Sequence, residues 1–276
     1  MMGARAARDV SLWRILWLVM SLFSAFVLSS GCARRVPLPE HLRPESTGEL
    51  LERMRQARVQ LRSYSAELQL NYFGEQGRVR TRATLVAQRP DRLRLDVRGP
   101  HGGVLRAVAC NGTRIQRLDL SAKRFISGPA NAQSLDAILG IAPLGLSPKA
   151  WLGLLFGEMP VPADASQNYD AREGRFVLTW SKGGQTWRVW VHPRSARPTR
   201  AEVSRGGALR SVRVDARDGR GLPKKLHMAV DDHSEVLVRL RDIRYAPELE
   251  ADVFQIQPPA GVSRQQIDAP LDAPQP

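Results

Sequence analysis

Cysteine is nearly absent: Cys32 and Cys110 are the only two in 276 residues, which excludes a disulfide framework. Lysine is scarce as well. Only Lys123, Lys149, Lys182, Lys224 and Lys225 stand among 41 basic residues, so the formal net charge of +14 is almost entirely arginine. That charge is spread along the chain rather than gathered in a run, which argues against a dedicated nucleic-acid patch and leaves anionic lipid headgroups open. Catalytic signatures are missing too: no Gly-x-Ser-x-Gly, His-Glu-x-x-His, Gly-x-Gly-x-x-Gly or phosphate loop occurs, which removes the common hydrolase, zinc-protease and nucleotide-binding classes. Most acidic residues sit in turns or alternate with apolar ones, a poor arrangement for a pair of inward catalytic carboxylates. No apolar run reaches the roughly 20 residues that span a bilayer as a helix.

The uncharged stretch that does occur is ILWLVMSLFSAFVLSS, residues 15–30, preceded by Arg5, Arg8 and Arg14 and followed by Gly31-Cys32. Charged start, apolar middle and small residues before a cut form a secretory signal, residues 1–31. Ser29-Ser30-Gly31-Cys32 resembles the lipobox of bacterial lipoproteins, with serine at 29 where that pattern has leucine. The expectation is covalent diacylglycerol and an N-terminal acyl chain on Cys32, enough to anchor the protein stably. Export excludes a nucleic-acid partner. Ala33, in place of a retaining aspartate, points to the periplasmic face of the outer membrane. Residues 32–46 carry three prolines and no periodicity, the pattern of a tether. Cys110 is expected as a buried strand residue.

Leu50, Met54, Ala57, Leu61 and Tyr64 form one helical stripe, with Ser46 or Thr47 as cap. The period then changes to two. Tyr64 to Tyr72, Val79 to Ala87 and Leu93 to Val97 alternate apolar with polar residues. Further strands fit 104–110, 113–119 and 123–126. After them, 131–160 reads as two short helices, the first capped by Ser134 and the second opened by Ser147-Pro148 and ended by Gly157. The body of the second, Trp151 to Phe156, has almost no polar face, so it is buried or it covers a cavity. Phe176, Leu178 and Trp180 start a hairpin completed by Trp187, Val189 and Val191, and strands follow near 199–205, 208–217, 222–230 and 235–245. Trp180 and Trp187 are read as core. The chain from Gln257 holds five prolines and is expected to be loose. The best metal candidate is His227 with Asp231, Asp232 and His233; Asp-Asp is ordinary turn chemistry, and no metal site is assigned. The whole reads as a mainly β, antiparallel, unclosed half-barrel with an N-terminal helix and a helical insertion over its mouth.

Four stretches in this order resemble the LolA/LolB family of periplasmic lipoprotein carriers and receptors: RLRLDVRGPHGGVLRAV (92–108), LSPKAWLGLLFGEMP (146–160), RFVLTWSKGGQTWRVWV (175–191) and ELEADVFQIQPPAGV (248–262). The resemblance covers roughly 46–262, and the domain is drawn at 47–262 with a proline-rich tail at 263–276. It implies a hollow for acyl chains formed by Leu68, Leu70, Leu93 and Leu95 under a helical lid bearing Trp151, Leu154, Leu155 and Phe156. It also implies membrane contact by the tip Pro100-His101-Gly102, although histidine stands where the receptor's tip is apolar. Membrane lipid, lipidated proteins and a soluble LolA-like carrier are the implied partners, with no cofactor beyond lipid and no catalysis. Two other readings stay open: a scaffold lipoprotein whose hollow is packed core, and an enzyme with a metal at 227–233.

Overall fold

The computed structural model describes residues 35–267, apart from 75–76, 100, 140–144, 207, 232 and 247–248. Its strands form a single sheet. The first arm is an antiparallel meander of β1 (Ser63–Gly74), β2 (Gly77–Gln88), β3 (Arg92–Arg98), β4 (Val104–Asn111), β5 (Arg114–Asp119) and β6 (Arg124–Pro129). The second runs β7 (Ser166–Asp170), β8 (Arg175–Lys182), β9 (Gln185–Val191), β10 (Pro198–Arg205), β11 (Ala208–Arg217), β12 (Pro223–Ala229) and β13 (Glu235–Ala246). The arms join where β1 pairs antiparallel with β13, bringing Leu68 opposite Leu240 and Leu70 opposite Val238. The far ends, β7 and β14 (Ser263–Gln266), do not meet, so the sheet curves without closing. All pairings are antiparallel except β14 on β6.

Period-two alternation makes one face apolar. Leu68, Ala83, Leu85, Leu226, Met228, Val236, Val238 and Leu240 are all buried on it. Into this concavity pack α1 (Thr47–Gln56), α2 (Ala132–Leu139) and α3 (Pro148–Leu155). The α1 helix starts where the Ser46 hydroxyl accepts the Glu49 N–H. It stops at Gln56, short of the stripe read from the sequence, because Leu61 and Tyr64 belong to the turn into β1 and to β1 itself. The cap of α2 is Asn131, whose Oδ1 accepts the Ser134 N–H at 2.8 Å; Ser134 lies inside the helix. For α3 the sequence signals hold. Ser147 caps it, Pro148 opens it and Gly157 follows its end at φ +75°, a left-handed position suited to glycine.

Both ends of the described chain are more ordered than composition suggests. Residues 32–46 read as a tether, yet the Val36 N–H donates to the Ala171 carbonyl (2.7 Å) and the Tyr169 hydroxyl to the Val36 carbonyl (3.0 Å), so the chain is docked beside β7 from Val36 onward. A short 3-10 turn at Glu40–Leu42 follows. At the other end the segment after a 3-10 turn at Ala251–Phe254 crosses the convex face. There Ile256 packs with Ala107, Ala109, Leu118 and Phe125, and its N–H donates to Gln116 Oε1 (2.9 Å). The loose tail expected from Gln257 is therefore wrong as far as Ile267: Ser263–Gln266 adds β14, and backbone hydrogen bonding overrides a composition with almost no apolar residue. Residues 268–276 lie outside the described chain.

If the C-terminal crossing is part of the fold, Ile256→Ala lowers unfolding free energy by about 2–5 kcal/mol, read by urea denaturation. A loosely attached segment would leave it unchanged.

Candidate functional site

The candidate site lies between the concave face and α3. Leu68 and Leu70 of β1, Leu85 of β2, Leu93 and Leu95 of β3, Met228 of β12, and Val236 and Val238 of β13 form its floor. Trp151 and Leu155 of α3 and Leu139 of α2 form its roof. Between them is a void of about 50 Å³ with no polar surface. That exceeds the ~10–15 Å³ that one water occupies, and a void so lined stays dry. It is far short of a long acyl chain, so α3 fills most of the hollow in this conformation.

Six of the eight residues expected at an acyl-chain hollow meet here: Leu68, Leu70, Leu93, Leu95, Trp151 and Leu155. Leu154 and Phe156 do not. Leu154 faces a separate small gap with Trp187, Val189 and Val203, and Phe156 turns toward α1. The 100° step of a helix explains this, since an all-apolar helix buried on every side cannot present all its side chains to one cavity. Leu85, Met228, Val236 and Val238 belong to the floor but were not singled out from the sequence; their inward positions follow only once β1–β13 and β12–β13 pairing is known.

The α3 helix is fixed at its C-terminal end. Tyr64, fully buried, donates its hydroxyl to the Leu155 carbonyl at 3.0 Å and meets the Phe156 ring edge-on at 5.1 Å. Burial drives the Tyr64 phenol well above its ordinary range, so it stays a donor. The Arg89 guanidinium lies 4.2 Å over the Phe156 ring and grips Glu158 with both terminal nitrogens (2.5 and 3.2 Å). Among the described residues the middle of α3 has only apolar side-chain contacts. Trp151 is 8% exposed and its Nε1–H is buried with no acceptor among the described residues. Such a donor costs about 1–3 kcal/mol and marks a place where an incoming acceptor would be rewarded.

The membrane-contact tip is only partly described, since Pro100 lies outside the described residues. His101 and Gly102 are exposed in a turn closed by Gly99 N–H to the Gly103 carbonyl (2.8 Å). Just after it Val104 and Leu105 stand exposed, an apolar pair the sequence did not single out. Cys32 also lies outside the described residues. Cys110 is buried in β4 and burial pushes its thiol pKa up, away from the reactive thiolate. His227 Nε2 sits 2.6 Å from Glu235 Oε2, and Asp231 accepts the His233 N–H. Among the described residues no three His, Cys, Asp or Glu side chains gather at metal-binding spacing. Trp180 and Trp187 stack at 5.8 Å against the core. Among the described residues no helix is long and apolar enough to cross a membrane.

Neither a family model nor a curated protein matches this chain. Solved structures do. A LolA superfamily protein from Nitrosomonas europaea superposes with a TM-score of 0.53 at 14% identity, covering 77% of this chain and 99% of the other. A chain from Vibrio parahaemolyticus, described as an outer-membrane lipoprotein-sorting protein domain, gives 0.55 at 13%, covering 74% and 94%. A DUF1329 family protein from Desulfovibrio piger gives 0.52 at 11%, covering 75% and 94%. At these identities the likeness is one of fold.

The hydroxyl bond from Tyr64 is the only polar tie on the Leu155 carbonyl among the described residues. Tyr64→Phe leaves that carbonyl buried without it and lowers stability by about 1–3 kcal/mol, measured by thermal and urea denaturation. An unchanged midpoint would mean that apolar packing alone holds the end of α3.

Proposed function

We propose that this chain is a lipid-anchored protein of the bacterial envelope that binds acyl chains on its concave face, under α3, and that it accepts or transfers lipoproteins or lipids at the outer membrane without covalent catalysis. The observation that carries this reading is the wholly apolar void between strand leucines and the Trp151–Leu155 side of α3. The likeness of fold to a LolA superfamily protein and to a lipoprotein-sorting domain supports it, and so does the uncharged run at 15–30 placed just before Gly31-Cys32. In this reading an acyl chain enters by displacing the middle of α3, where only apolar contacts oppose it. The bare Trp151 N–H is then available to a carbonyl of the ligand. Each CH₂ moved from water into the hollow contributes about 0.8 kcal/mol. Release into a bilayer falls to the 101–105 tip, with Val104 and Leu105 supplying the apolar contact that His101 does not.

The small size of the void favours a second reading, an envelope scaffold whose hollow is packed core. Two substitutions separate them. Leu155→Ala enlarges the void and lowers stability by about 2–5 kcal/mol. A binding hollow retains or gains affinity for a fluorescent fatty acid despite that loss, whereas Leu155→Gln loses at least fivefold. If binding falls with melting temperature in both variants, or if solvent extracts of the purified protein contain no lipid by mass spectrometry, the scaffold reading stands.

The anchor has its own test. Cells fed a clickable palmitate analogue should label the parent and not Cys32→Ala, and only the parent should partition into detergent as mature protein. Equal partitioning with no label on the parent would remove the lipoprotein assignment.

A further inference from the structure

A second pocket, separate from the apolar void, opens between α1 and the end of α3, with a volume of about 260 Å³. One wall is apolar: Leu51, Met54, Val59, Phe156, Met159 and Val161. The other is cationic. Arg55, Arg58, Arg197 and Arg217 line it, against the single carboxylate of Glu158, and Arg55 is already paired with Glu52 (2.5 Å). Glu158 is already held by both terminal nitrogens of Arg89, and its contact with Arg58 is long, at 3.8 Å.

Arg217 is half-buried and is bonded only to carbonyls, those of Gly221 (2.7 Å), Pro198 (2.5 Å) and Gly157 (3.4 Å). Burial, then the neighbouring charge of Arg197, pulls its pKa down to about 10. Asp218, next along the chain, spends its carboxylate on the N–H groups of Arg220 and Leu222 and on the Tyr245 hydroxyl. Arg197 donates from Nε to the Ala57 carbonyl (3.3 Å), and both of its terminal nitrogens lack an acceptor among the described residues. Neither Arg197 nor Arg217 has a carboxylate at ion-pair distance among the described residues. Two glycines make the arrangement possible. A Cβ at Gly157 would collide with Arg217, and one at Gly221 with Arg197, and both glycines take positive φ. Like charges brought together beside a cavity, with donors unspent and the nearby carboxylates of Glu158 and Asp218 already engaged by other groups, are stabilised by an anion.

We propose that this pocket binds an anionic amphiphile, its phosphate or carboxylate head paired with the free donors of Arg197 and Arg58 and its apolar portion against Met54, Phe156 and Met159. The site is distinct from the acyl-chain hollow and does not depend on it.

The test uses the full chain in phosphatidylcholine nanodiscs, with empty discs subtracted, titrated calorimetrically with dihexanoyl phosphatidic acid and, separately, with inorganic phosphate. The phosphatidic acid should bind saturably and more tightly than phosphate, and binding should weaken as salt rises. Arg197→Gln should weaken it at least tenfold and Arg197→Lys less; Met54→Gln should weaken the amphiphile while leaving phosphate unchanged. Leu155→Gln, which attacks the other hollow, should leave this binding intact. Phosphate binding as tightly as the amphiphile, or a parent and a folded Arg197→Gln protein that bind alike, would overturn the proposal. Native circular dichroism of each variant establishes that it is folded.

Discussion

Pairing of β1 with β13 is the contact on which the rest of the molecule depends. Those strands are separated by 160 residues, yet they lie side by side over nearly their whole length. Each arm alone is a meander with a greasy face and an unpaired edge, and a meander of that kind is an aggregation hazard. Joined at the seam, the two arms become one curved surface whose concavity α1, α2 and α3 can fill. The leucines of β1 and the valines of β13 are buried on that concave face. Four of the residues on the floor of the apolar void, Leu68, Leu70, Val236 and Val238, therefore come from the seam itself.

Much of this architecture is legible in the sequence, for a plain reason. A half-buried strand writes its period of two directly into the chain, as in Tyr64-Ser-Ala-Glu-Leu-Gln-Leu and in Phe176-Val-Leu-Thr-Trp. The same is true of α3, whose Ser147-Pro148 start and Gly157 stop are local chemistry. What local chemistry does not encode is missed. β7 (Ser-Gln-Asn-Tyr-Asp) and β14 (Ser-Arg-Gln-Gln) are edge strands with little or no buried side, so no alternation announces them. The order of strands is invisible because β1 finds β13 through space rather than along the chain.

The two pockets show the same division. Six residues that the family resemblance implied for a hollow line the apolar void, and all six lie on apolar faces that the sequence makes visible. The basic pocket is not visible in this way, because Met54, Phe156, Arg197 and Arg217 come from four separate segments and each looks ordinary in its own neighbourhood. Arginine spread along a sequence says nothing about where guanidinium groups converge. Here the convergence is produced by the Gly157 and Gly221 turns, which let two of them lie flat against backbone.

The docking of Val36 beside β7 fixes how far the body can stray from an anchor. A lipid on Cys32 would sit four residues from Val36, whose N–H and carbonyl are both bonded to the β7 edge region. Four residues extend to about 14 Å at most. If Cys32 carries a lipid, as proposed, so short a leash would keep the body close to the bilayer, with the β7 end of its sheet nearest the attachment point. Under that proposal the body would not range far from the membrane, and cargo arriving from a distance would have to be brought to it.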